Sequence, residues 1–133
     1  MQTVTSNIRF FIPVKPVPAS RPRVSRFGTY YSKNYETFRN LCFTFLQKLK
    51  NQYKPTSDKY KVELEFVMYK PNKPAADYPS NCDIDNLIKG PLDAITKVGM
   101  IWVDDSQITD IKASKRYQNK DEDYGIWISV DKI

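Results

Sequence analysis

Two acidic motifs in the 133-residue chain have residue types and spacing suited to chemistry. The first is Asp83-Ile84-Asp85-Asn86-Leu87-Ile88-Lys89, and the second is Asp104-Asp105-Ser106-Gln107, set directly after Ile101-Trp102-Val103. Lys89 lies four residues after Asp85, so a helix would put both on one face. Carboxylates at i and i+2 point apart in extended backbone, but at a loop–helix junction they can converge. If the second pair returns beside the helix start, three or four carboxylates and one ammonium meet. Packed carboxylates repel one another unless a divalent cation neutralises them. Such a set suits phosphoryl transfer, because Mg²⁺ polarises a phosphate oxygen and lowers the pKa of a bound water. Lys89 would stabilise the charge that develops at the phosphorus or on the leaving oxygen.

Composition narrows the choice. The chain has no histidine. That excludes Ser–His and Cys–His nucleophile pairs, a His-ligated zinc and an imidazole base. Hydrolysis would have to rest on carboxylates, lysine and a hard, oxygen-seeking cation. Cys42 and Cys82 lack metal-type spacing and read as two reduced thiols. Residues 1–50 carry a net +8 and residues 51–133 a net −2, which together give the overall +6. A basic half joined to an acidic half suggests that one grips a polyanion while the other binds a cation against it. No apolar run reaches the length of about eighteen residues needed to span a bilayer. Met1 to Asn7 lacks the basic and apolar blocks of a signal peptide. A cytoplasmic protein without membrane contact is expected.

Each motif also has a plainer account. Asp85-Asn86 could simply cap a helix, since Asp and Asn are favoured there, and Asp104-Asp105-Ser106 could be an ordinary turn. Lys89 with Asp85 or Asp93 could be a routine i,i+4 pair. Asp93 and Lys97 read as solvated helix surface, and Asp121-Glu122-Asp123 as a hairpin turn. Arg21-Pro22-Arg23-Val24-Ser25-Arg26 reads as facing nucleic acid, because proline stiffens it and no local acids pair its arginines.

The elements that would position these residues follow from periodicity. Ile8–Ile12 reads as a strand stopped by Pro13, and residues 16–28 as an extended, proline-rich loop, with a short strand possible at Tyr30-Tyr31. A helix is predicted over 35–53, capped by Ser32 or Asn34, with Phe38, Leu41, Cys42, Phe45, Leu46 and Leu49 on its buried face. Residues 59–69 alternate as a half-buried strand. Residues 71–81 form a long loop. A helix over 84–98 starts near Asp83 or Asp85 and ends at Gly99, and Gly90-Pro91 should kink it or delay its start. Strands over 108–117 and 124–130 flank a polar turn at 118–123. The order β-α-β-α-β-β predicts a single α+β domain over 1–133, with a mixed sheet and two main helices.

Asp83-Ile84-Asp85-Asn86-Leu87-Ile88-Lys89, then Leu92-Asp93-Ala94-Ile95, then Trp102-Val103-Asp104-Asp105-Ser106-Gln107-Ile108, strongly resemble the RusA family of Holliday-junction resolvases. The matching pattern is D-x-D-N-L-x-K, a D-A-(L/I) helix and D-D-(S/A)-Q-(I/V). Arg21-Pro22-Arg23 is similar to a looser feature of phage and prophage members. The resemblance implies a RusA-like fold and a homodimeric endonuclease, in the cytoplasm of a bacterium, that nicks opposed strands of a four-way DNA junction. It implies Mg²⁺ as cofactor, with Mn²⁺ as a substitute and no organic cofactor. Family roles fall on Asp83, Asp85 and Asp105 as catalytic metal ligands and on Lys89 as the catalytic lysine. Asp104 is not singled out. DNA contacts are expected at Arg21, Arg23, Arg26 and Lys33. Gly90-Pro91 and the weakly basic 70–80 loop depart from the family pattern and bear on junction selectivity. Two alternatives stand beside this reading: a non-catalytic junction binder, and a nuclease of other branched or replication-fork DNA.

Overall fold

Hydrophobic alternation and capping explain most of the architecture in the computed structural model, which describes residues 8–19, 23–26, 28–30 and 32–133. The chain runs β1 (Ile8–Ile12), β2 (Arg23–Ser25), β3 (Gly28–Tyr30), α1 (Lys33–Leu49), β4 (Tyr60–Met68), α2 (Ile84–Val98), β5 (Ile108–Tyr117) and β6 (Gly125–Lys132). Two single-turn 3-10 segments stand at Lys50–Gln52 and Asp105–Gln107. Among the described residues, no helix is long and apolar enough to cross a membrane.

Four strands form one mixed sheet in the order β1-β6-β4-β5. β6 pairs antiparallel with both β1 and β4, whereas β5 runs parallel to β4. A parallel neighbour needs a crossover, and α2 is that crossover. Phe10, Ile12, Val62, Leu64, Phe66, Ile126, Ile128 and Val130 share one core with Tyr35, Phe38, Cys42 and Leu46 of α1 and Leu87, Ile95 and Val98 of α2. The period-2 strand pattern thus turns its apolar side to both helices. Arg9, Glu63, Glu65, Lys112 and Trp127 line a shallow pocket of about 210 Å³ on the other face. There Arg9 lies 4.7 Å over the Trp127 ring and Phe11 packs 4.8 Å from it.

Ser32 caps α1 by accepting a hydrogen bond from the Tyr35 amide at 3.3 Å. The helix therefore starts at Lys33 and ends at Leu49, and the last residues expected in it form the 3-10 turn. α2 covers Ile84 to Val98 without a break, with Pro91 inside it, so the helix does not start late. Gly90 shows why. A Cβ there would lie 2.7 Å from Cε2 of Phe38, so α1 packs directly on bare α2 backbone and holds the helix across the proline. Gly99 ends it in the left-handed conformation (φ 79°) that glycine favours. The proline-rich segment differs from expectation: Arg23–Ser25 and Gly28–Tyr30 pair as a small antiparallel hairpin in place of a plain loop.

The polar turn between β5 and β6 is structural. Arg116 donates to both Glu122 carboxylate oxygens at 2.6 and 2.7 Å, and the Asn119 amide donates to the same group at 2.8 Å. The Arg116 hydrogen bonds, with that amide second, lower the Glu122 carboxyl from 4.5 to about 2. A depressed folded-state value means that the clamp's contribution is complete above about 4.5 and is lost as pH falls toward 2. Glu122→Gln should therefore flatten the melting temperature against pH within that window. A variant curve parallel to that of the wild type would show that the clamp does not couple to folding.

Candidate active site

Asp83 occupies the cap position of α2 in extended backbone (φ −91°, ψ 140°), yet its side chain makes no capping hydrogen bond. The helix start is held by other groups. The Ala19 amide donates to the Asn86 carbonyl at 2.7 Å, and the Lys115 ammonium donates to the Cys82 carbonyl. Leu87 is buried beneath this turn, while Asp83, Asp85 and Lys89 are exposed. Fixed backbone, anchored Leu87 and outward carboxylates are what a surface cation site requires.

The second motif divides into two roles. The Asp104 side chain caps the turn by accepting from the Ser106 amide at 3.1 Å. Hydrogen bonds from Ser106, the hydroxyl first, hold its carboxyl below the usual range. Asp104 is thus the turn residue that the plainer account describes. Asp105 follows it, exposed. Gln107 clamps the whole turn: its Oε1 accepts from the Val103 and Asp104 amides at 2.8 and 2.9 Å, and its Nε2 donates to the Thr56 and Asp58 carbonyls at 2.7 and 2.8 Å. Gln107→Ala should cost about 2 kcal/mol or more, since each such bond is worth roughly 0.5–1.5 kcal/mol net. Urea unfolding and faster amide exchange at Val103 and Asp104 would register the loss, and unchanged exchange would refute the clamp.

Ile101 explains how so apolar a run delivers an acidic turn. It is buried with φ 69°, a conformation that β-branched residues avoid. Its carbonyl is pinned by the Thr56 amide at 3.0 Å and the Tyr60 hydroxyl at 3.1 Å. The reversal sends Trp102 into the core, where its indole N–H donates to the Thr96 hydroxyl at 2.7 Å. Val103, Asp104 and Asp105 emerge at the surface.

Asp105 comes back beside the middle of α2. Its charge acts on Asp93, as do those of Lys89 and Arg39. Burial chiefly raises the Asp93 carboxyl, Asp105 adds to the rise, and the two cations oppose it. Asp93, which the sequence alone makes a solvated surface residue, is half-buried in a notch with Arg39, Asn40, Phe43 and Lys97 between the helices. Its spacing of four from Lys89 was the available signal. Among the described residues, no three acidic or thiol side chains gather closely enough to hold a metal ion.

Of the expected DNA contacts, Arg26 and Lys33 are exposed. Arg21 lies outside the described residues, and so does the side chain of Arg23, whose backbone belongs to β2. Cys42 is buried and Cys82 half-buried, both as free thiols. Burial pushes the Cys42 thiol up to about 12, so it behaves as an inert core residue. A family model described as endodeoxyribonuclease RusA matches residues 13–130. No curated protein matches the chain.

Proposed function

The chain belongs to the RusA family of endodeoxyribonucleases, and from that premise we propose that it is a Mg²⁺-dependent nuclease that resolves four-way DNA junctions by paired symmetric nicks. The observation that carries the proposal is the start of α2, where Asp83, Asp85 and, in the second turn, Lys89 are exposed while Leu87 is buried. Mg²⁺ commonly takes one or two protein carboxylates and completes its shell with waters and substrate phosphates. Asp83 and Asp85 match that donor chemistry, and a bound cation there would supply Lewis-acid polarisation of the phosphate. Asp105, whose charge reaches Asp93, would join them as a metal ligand and orient the attacking water. Lys89 would meet the charge that builds on the phosphoryl oxygens.

Arg21, Arg23, Arg26 and Lys33 would hold the flanking backbone, because phosphate contacts set position without reading sequence. A two-fold symmetric junction calls for two equivalent sites, which a homodimer provides. The setting would be DNA recombination and repair in a bacterial cytoplasm, whether the gene is cellular or phage-borne.

The deciding experiment incubates the protein with a labelled four-way junction in Mg²⁺, Mn²⁺ or EDTA, beside a fork and a linear duplex. Metal-dependent paired cuts confined to the junction support the proposal. Binding without cuts would instead favour a non-catalytic junction binder. Faster cutting of the fork would shift the substrate to other branched DNA.

A further inference from the structure

A second pocket, of about 290 Å³, opens beside the start of α2, at the carboxyl ends of the parallel strands β4 and β5. Crevices at the carboxyl ends of parallel strands are the usual ligand positions of such sheets. Pro16, Pro18 and Pro79 form stiff walls, and the rings of Tyr69 and Tyr117 supply flat apolar surface. The lining includes Cys82, so its floor is one residue from Asp83. The surrounding chain is tied together. The Gln118 amide donates to the Met68 carbonyl at 2.8 Å, and the Lys70 amide donates to the Gln118 side chain at 3.1 Å.

Among the described residues, no acidic side chain lines this pocket. Its polar complement is an exposed Asn81 amide and the Lys15 ammonium, which lies 5.1 Å over the Tyr69 ring. Tyr69 is 51 % exposed although it directly follows a core strand, a large ring left at the surface. The space is too small for a helix or a duplex but suits one flat heterocycle with a phosphate beside it. Stacking on aromatic rings next to a cation is how proteins take up unpaired bases.

We propose that this pocket receives one unstacked nucleobase, from the DNA strand whose phosphate reaches Asp83 and Asp85. The inference rests on the nuclease reading and deepens it: the pocket selects which phosphate at a branch point is presented for cutting. Only a strand free of its duplex partner can place a base there, so the pocket discriminates against linear DNA. The Asn81 amide, able to donate and accept, would distinguish base edges.

Two readouts test this in the full-length protein. In cleavage, Tyr69→Ala should slow junction cutting about tenfold or more, and Tyr69→Phe should restore it. An abasic site at the nucleotide flanking the cut should slow the wild type similarly, with no further loss in Tyr69→Ala. In binding, 2-aminopurine at that nucleotide should change emission when the Asp85→Asn protein binds the junction, and the added Tyr69→Ala change should abolish the response. If the wild type cuts junctions and Tyr69→Ala cuts them equally fast, the pocket is refuted and the nuclease reading stands. If no junction is cut yet the Tyr69-dependent emission change persists, the pocket stands and the nuclease reading fails. Losses from the abasic site and Tyr69→Ala that multiply would also overturn the pocket.

Discussion

Asp85→Asn should cut a four-way junction about a thousandfold more slowly than the wild type, while binding it at least as tightly. The rate falls because a neutral amide is a poor partner for a hard cation, and one lost electrostatic contact in a transition state is typically worth about a hundred- to a thousandfold. Binding holds or tightens because the change removes a negative charge facing phosphates. Folding should change little, since Asp85 is exposed. Single-turnover cleavage in Mg²⁺, together with binding in Ca²⁺, separates the two effects. A large loss of affinity would assign Asp85 a structural role.

Trp102→Ala should be the most damaging single change to the fold, at about 3–5 kcal/mol. The side chain is fully buried and packs 6.1 Å from Tyr60, and its N–H bonds Thr96 across to α2. Trp102 also bridges to Thr56 in parallel strand geometry. A loss of that size is a large part of the roughly 5–15 kcal/mol that holds a domain together. Urea unfolding should show the midpoint collapsing, with Trp102→Phe recovering much of it. An intact midpoint in Trp102→Ala would mean that Met100 and Ile101 refill the space. Any surviving activity should then fall as well, since Asp105 is carried only three residues downstream.

What the sequence discloses depends on the range of the interaction responsible. β4, β5 and α2 were legible to within a residue or so, because period-2 and helical patterns are written locally and Gly99 marks its own stop. The late start allowed for at Gly90-Pro91 did not occur: the helix runs on across the proline, and the Phe38 and Tyr35 rings that pack on Gly90 come from another helix. The small hairpin at Arg23–Ser25 was hidden behind prolines that read as loop. For the site, Asp83, Asp85, Lys89 and Asp105 were legible as types and spacing, and all four are exposed. The place where Asp105 returns beside α2 was not legible. It depends on where Ile101 reverses the chain, and that left-handed turn at a β-branched residue violates the local preference on which sequence reading relies. Asp93 was missed for a related reason: only the packing of α1 makes its position partly buried.

The strand order has a consequence in time. β6, the last of the described strands in chain order, lies inside the sheet between β1 and β4. Before it arrives, β1 has no partner and β4 has only the parallel neighbour β5, whose pairing must wait for the α2 crossover. Pairings this distant along the chain form slowly. During translation, then, the residues that flank the aspartates would be made early but held in place late. Tyr69, Cys82 and the acidic turn would acquire a rigid frame only after residue 132 has cleared the ribosome. An enzyme that cuts DNA would thus remain harmless as a growing chain, with its own topology serving as the safety catch.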